Sequence, residues 1–207
     1  RRGAYIDILP GTSFAQRTRH GIQKGYDNGH QVIMRMEIEK TPLISQIEKM
    51  VLPIFNDEAD LVVPHRGNLE SYPPEQRHTE RFGNIWFKAL TGLREELDMW
   101  GGTRVWRRDL TEYFLDESID QEYAGHEGKP NNWACYFVPV LRIIRDGLKT
   151  KNVPVDFAYP EEQAALERGD FAFIEKRLTQ LELITNALRK EWFKTHSPPI
   201  KSNVTYK

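Results

Sequence analysis

Residues 30–66 read HQVIMRMEIEKTPLISQIEKMVLPIFNDEADLVVPHR. A short apolar run, Val32-Ile33-Met34, ends in Glu37-Ile38-Glu39-Lys40. A helical stretch follows from about Pro42 to Phe55, and a second apolar run, Leu61-Val62-Val63, ends in Pro64-His65-Arg66. Strand, acidic loop, helix, strand and basic loop in that order spell a βαβ unit, which needs parallel strands and a right-handed crossover. In open parallel sheets, ligands gather just beyond the carboxyl ends of the strands. Here those ends carry Glu37, Glu39 and Lys40 on one loop and Arg66 on the other. The expected fold is α/β, a mostly parallel sheet with helices on both faces. The expected ligand is an anion held with a divalent metal.

Upstream, Ala4-Tyr5-Ile6-Asp7-Ile8-Leu9 alternates as a strand, and Pro10-Gly11 stops it. Thr12 or Ser13 caps a helix that runs to about Lys24, and Asp27-Asn28-Gly29 turns the chain into the Val32 strand. Downstream, Gly67 to Glu75 reads as a loop and Glu75 to Leu90 as a helix, with Phe82, Ile85-Trp86 and Ala89-Leu90 spaced by three and four. Leu97 to Trp106 reads as a turn rich in glycine and aromatics, and Arg108 to Leu115 as a helix. The polar stretch Asp116 to Asn131 has the length of a lid or substrate loop. Trp133 to Asp146 has a helical period with Gly147 at its end, and Asn152 to Tyr159 alternates as a strand. Asp170 caps a last helix whose stripe is Phe171, Ile174, Leu178, Leu181, Ile184, Leu188 and Trp192, a core surface or a face for a homo-oligomer. This divides the chain into an α/β region over 1–160, a helical C-terminal extension over 161–195 and an extended tail over 196–207.

The 207 residues suit one domain with a helical appendage. Lys plus Arg number 29 against 30 for Asp plus Glu, a balance that argues against a broad nucleic-acid surface. Cys135 is the sole cysteine, which excludes an internal disulfide and a multi-cysteine zinc site. No apolar run is long enough to cross a bilayer, and the Arg1-Arg2-Gly3-Ala4 opening is not followed by a signal-peptide core. A cytoplasmic location without a transmembrane segment is therefore expected.

Four places can carry chemistry. Glu37 and Glu39, two apart on extended chain, point the same way and can share one Mg²⁺ or Mn²⁺; a solvated acidic turn has the same spacing. Arg66, with His65 and Asn68 nearby, can hold a phosphate by two points. Asp98 precedes Gly101-Gly102 and Arg104, where glycine admits a ligand close to the backbone and a carboxylate can act as general base. His126 sits in the long polar loop, where it reads first as a surface histidine and second as a phosphate or metal contact.

Together these segments resemble the family 2 glycosyltransferases of the GT-A fold, of the dolichol-phosphate-mannose-synthase-like type. Gly11-Thr12-Ser13-Phe14-Ala15-Gln16-Arg17 through Gly21-Ile22 and Gly25 looks like the family's G-x-x-x-A-x-R-x-G-I helix. Val32 to Glu39 occupies the place of the strand ending in the metal-binding D-x-D. Ala59 to Arg66 is similar to its aDlVvgsR segment, and Arg81-Phe82-Gly83-Asn84 through Thr91-Gly92 to its r-x-g-N helix. Asp98 to Arg107 resembles the acceptor-side D-x-x-x-G-x-R motif, and Gly147-Leu148-Lys149 into Val153-Pro154-Val155-Asp156-Phe157 has a counterpart strand.

The resemblance implies a metal-assisted, inverting transfer of a sugar from a nucleotide-diphosphate donor to an acceptor hydroxyl. Glu37 and Glu39 would hold Mg²⁺ or Mn²⁺; with the register shifted by two, the family's aspartates fall on Arg35 and Glu37 instead. Arg66, Arg104, Gly102, Arg17 and Lys40 would meet the donor phosphates, and Asp98 would take the acceptor proton. It also implies that the family's opening nucleotide-binding strand and helix precede this sequence. Two rivals are a GT-A-like binding or scaffold module without activity, and a nucleotidyltransferase.

Overall fold

The computed structural model describes residues 12–126 and 129–195. The expected Ala4–Leu9 strand and the tail from Ser197 lie outside them, as does the side chain of His126. Helix α1, Phe14–Asp27, starts at Ser13, whose Oγ accepts from the Gln16 N–H at 3.2 Å. The Gln16 side chain in turn accepts from the Ser13 N–H at 2.8 Å, a reciprocal capping box. Strand β1, Val32–Arg35, leads into a 3-10 segment, Ile38–Gln46, and only then into α2, Ile47–Phe55. The single helix expected from Pro42 is thus split, because Pro42 lies inside the tighter turn and donates no backbone hydrogen bond.

Strand β2, Leu61–Arg66, is followed by α3, Pro74–Thr91. Pro74 stands at the first position, and Gly92, with φ +69°, closes the end. Strand β3, Arg104–Arg107, precedes the short helices α4, Thr111–Leu115, and α5, Ser118–Glu122. A small ladder pairs β4, Gly125–His126, with β5, Lys129–Pro130. Helix α6, Ala134–Arg145, strand β6, Thr150–Val155, helix α7, Glu161–Glu167, and the long α8, Phe171–Thr195, complete the order.

The main sheet runs β1-β3-β2-β6. Strand β3 lies antiparallel to both β1 and β2, and only β2 and β6 pair in parallel. This corrects the expectation of a mostly parallel sheet: β1 and β2 do not pair, and β3 stands between them. The reason lies in Arg104-Val105-Trp106-Arg107, too short and too basic to read as a strand beside Gly101-Gly102. It becomes one because both its edges find partners, with Trp106 opposite Ile33 and Leu61, and Val105 opposite Met34 and Val62.

Strand alternation divides the core between the two faces. On one face Ile33, Leu61, Val63 and Trp106 pack with Phe87 of α3, Leu141 of α6 and Ile184 and Leu188 of α8. On the other, Val62, Val105, Val153 and Val155 pack with Leu43 and with Met50 and Ile54 of α2. Phe157 and Tyr159 continue the inward alternation of β6 beyond the strand's end and stay buried.

Helix α8 packs against α3 and α6. Its buried face runs through Phe173, Gln180, Leu183, Ile184, Ala187, Leu188 and Glu191, while Phe171 and Leu178 of the expected stripe are exposed. The rotation follows from Glu191, which is drawn under by Arg142 and Arg145 of α6 at 2.9 and 2.7 Å. The polar stretch after Asp116 is anchored as well. Ile119 and Tyr123 are buried, and Arg19 of α1 donates twice to Asp120 at 2.6 Å. Among the described residues no helix is long and apolar enough to cross a membrane.

Candidate functional site

The antiparallel β3 brings its beginning to the same sheet end as the finishes of β1, β2 and β6. Arg35 lies opposite Arg104 and Arg66 opposite Val155. Three of the expected segments therefore meet there, around the Asp98–Gly102 turn.

On one side of the turn, Arg66 and Asp98 hold each other. Arg66 donates from Nε to Asp98 Oδ2 and from Nη2 to Oδ1, both at 2.7 Å, and also to Tyr72 Oη and Glu80 Oε2 at 2.8 Å. Asn84 donates to Asp98 Oδ1 at 3.2 Å. Burial alone would raise the Asp98 carboxyl, but the Arg66 guanidinium outweighs it and holds the group well below the usual carboxylate range. Arg66 correspondingly stays charged, and its fork is spent on protein groups.

On the other side lies Glu37. Arg35 Nη1 donates to its Oε1 at 3.1 Å and to the Gly102 carbonyl at 2.9 Å; Lys40 Nζ donates to its Oε2 and to the Gly101 carbonyl. Burial pushes Glu37 up, yet Lys40 and Arg35 prevail and bring it to about 2. For Lys40, 5% exposed, burial outweighs Glu37 and lowers its affinity for the proton. Gly102 has φ +77°, and a Cβ there would lie 2.5 Å from the Glu37 carboxylate. Gly101 is less closely set on its other flank, where a Cβ would meet Asp98 Oδ2 at 3.1 Å. The double glycine is the thin wall between the two ionic clusters.

Arg104 sits behind this wall, fully buried, donating to the carbonyls of Thr103 (2.6 Å) and Met99. Burial without a carboxylate contact lowers it to about 10. It straps the turn together and does not line the cavity that holds Glu37, Glu39 and Lys40. Arg17 is exposed, donates to the Thr12 carbonyl at 2.6 Å, and borders a separate open groove along α1 and the outer edge of β1.

A cavity of about 280 Å³ opens beside Glu37, Glu39 and Lys40. Its far walls bring Tyr72, Gln76 and Glu80 from α3 and its approach, Trp100 from the turn, and Trp133 and Tyr136 from the start of α6. Tyr159, Gln163 and Glu167 come from α7 and its approach, and Lys176, Arg177 and Gln180 from α8. Its size lies just below the ~300–1,000 Å³ typical of drug-sized ligands, so it suits a smaller one. Gln76 is 4% exposed; its Nε2 donates to Glu80 at 2.7 Å, and its Oε1 has no partner among the described residues. A ligand hydroxyl in the cavity would satisfy that acceptor.

Four carboxylates line the space. Glu37 is taken by Lys40 and Arg35, Glu80 by Arg66 and Gln76, and Glu167 by Tyr159 and Gln163 at 2.7 and 3.0 Å. Glu39 alone makes no hydrogen bond or ion pair among the described residues. The two glutamates read as a metal pair thus differ in kind, one clasped by cations and one open. Among the described residues no group of three or more metal-ligating side chains occurs. The donor set at Glu37 does not fit a divalent ion, because both its oxygens already face cations.

The aromatic and amide walls escaped the linear reading. Trp133 and Tyr136 lie at the start of a stretch whose sequence shows only a helical period, and Gln76, Glu80 and Gln163 are ordinary surface residues of a helix until the fold closes over them. Comparison with protein-family models, with curated proteins and with solved structures found no match.

Proposed function

We propose that the cavity binds a sugar unit and that the protein transfers it from a nucleotide-diphosphate donor to an acceptor hydroxyl. The observation that carries this reading is the wall chemistry: the rings of Trp100, Trp133, Tyr136 and Tyr159 line the same space as carboxylates and amides, and that space is of monosaccharide scale. Sugars present apolar C–H faces for aromatic rings and a rim of hydroxyls for carboxylates and amides. The order of segments shared with GT-A glycosyltransferases supports the same reaction class.

In this reading Glu39 is the general base. The acceptor oxygen attacks the anomeric carbon, the bond from that carbon to the phosphate oxygen breaks, and the nucleoside diphosphate leaves with the electron pair. The acceptor proton passes to Glu39, the open carboxylate of the cavity. Asp98 acts at a distance, since its oxygens hold Arg66 and through it Tyr72 and Glu80.

A second reading, a binding module without turnover, draws on that same burial of Asp98, the residue the family resemblance marks as the base. Titration calorimetry with GDP-mannose and UDP-glucose, followed by assay for donor turnover, separates the two. Transfer predicts donor binding, weakened by Trp133→Ala, and turnover lost in Glu39→Gln with binding kept. Binding with no turnover favours the module. No binding of either donor or of free hexoses overturns both.

A further inference from the structure

We infer that the Lys40 ammonium, backed by Arg35, occupies the place of a divalent metal at Glu37, so that the site binds a phosphorylated ligand without one. The inference deepens the transfer reading and rests on it for the identity of the ligand. Mg²⁺ and Mn²⁺ are held by hard oxygens, typically carboxylate and backbone carbonyl. Those are the two groups that Lys40 Nζ contacts here, Glu37 Oε2 and the Gly101 carbonyl. Arg35 takes the matching pair on the other side, Glu37 Oε1 and the Gly102 carbonyl. A metal entering at Glu37 would face two fixed positive charges and would have to displace both.

The arrangement is built into the fold. Gly102 can approach the carboxylate only because it lacks a Cβ, and its carbonyl and that of Gly101 face the two cations. Lys40 is buried at the cavity wall, and its ammonium has three N–H bonds, of which two are used. The third is available to a phosphate oxygen. Its charge would do for a leaving diphosphate what a metal does elsewhere, neutralising the oxygen on which negative charge develops.

The test combines two measurements on the same chain. Mn²⁺ alone is titrated by electron paramagnetic resonance, with no nucleotide present. GDP-mannose and UDP-glucose are then titrated calorimetrically in EDTA and in excess Mn²⁺, with wild type, Lys40→Met and Lys40→Arg. The expected result is no Mn²⁺ bound by wild type and equal donor affinity in both buffers. Lys40→Met should lose about tenfold in affinity and Lys40→Arg much less, the loss of one charge-assisted bond. Stoichiometric Mn²⁺ binding that disappears in Glu37→Gln, or donor binding seen only with Mn²⁺, overturns the inference while leaving transfer intact. No donor bound in either buffer overturns the transfer reading and the phosphate role of Lys40 together. The Mn²⁺ titration of wild type and Glu37→Gln then still decides whether Glu37 is closed to metal.

Discussion

The Arg66 guanidinium meets the Asp98 carboxylate at two points, each 2.7 Å, with both side chains 2% exposed, and the Arg66 backbone N–H adds a third bond at 3.1 Å. The pair joins the end of β2 to the glycine turn, so it sets the position of the wall between Lys40 and the core. Removing Asp98 takes one of two carboxylates from the buried Arg66 and leaves Glu80 and Tyr72 to hold it, so the cost is about 3 kcal/mol, the low end for a broken buried pair. Asp98→Ala should lose that much in urea unfolding. A loss below about 1 kcal/mol, the scale of an exposed pair, would show that the pair contributes little.

Gly102→Ala and Gly29→Ala form a matched comparison. Both glycines have positive φ, +77° and +74°, but a Cβ at Gly29 meets nothing within 4 Å, whereas at Gly102 it strikes the Glu37 carboxylate. Gly29→Ala should cost about 1 kcal/mol from backbone strain alone. Gly102→Ala should cost clearly more and weaken donor affinity, because Glu37 and its two cations must shift. Equal losses in thermal unfolding would refute the close-approach argument.

Acid should weaken the fold through its depressed carboxylates, Glu37 and Glu191 among them. Glu37 is lowered from 4.5 to about 2, burial being outweighed by Lys40 and Arg35. Glu191 falls by a similar extent, burial being outweighed by Arg142, Tyr123 and Arg145. A carboxyl whose folded value is depressed contributes its stability above the unfolded value and loses it as pH falls toward the folded one. The expected loss therefore lies between pH 4.5 and about 2. Glu191→Gln should be less stable than wild type at pH 7, and its melting temperature should fall less steeply across that window. Parallel curves for the two proteins would contradict the assignment.

Trp106 tests the placement of β3. It is fully buried, stacks on Phe114 at 4.1 Å between ring centres, and donates from Nε1 to Thr111 Oγ1 at 3.1 Å. Trp106→Ala should cost about 3–5 kcal/mol, as for a large aromatic in a packed core. A residue in a solvent-exposed turn would cost a fraction of that.

Local patterns in the chain determined the helices with clear signals and the apolar strands. The capping box at Ser13 and Gln16, the period of α3 and the Gly147 stop after α6 depend on neighbours within a few residues, and these were legible. So were the acidic and basic ends of β1 and β2, and the double glycine after Asp98. Only the tertiary structure decided that Arg104–Arg107 is a strand between β1 and β2, since a four-residue strand is stabilised by partners on both edges rather than by its own propensity. The same holds for the charges. Glu37 is clasped by near neighbours, Arg35 and Lys40, but what fixes them on it is the pair of backbone carbonyls of Gly102 and Gly101, 67 and 61 residues away, and Asp98 anchors Arg66 from 32 residues away. Spacing along the chain names the groups that can react; burial and pairing, which are properties of the folded chain, determine which remain open to do so.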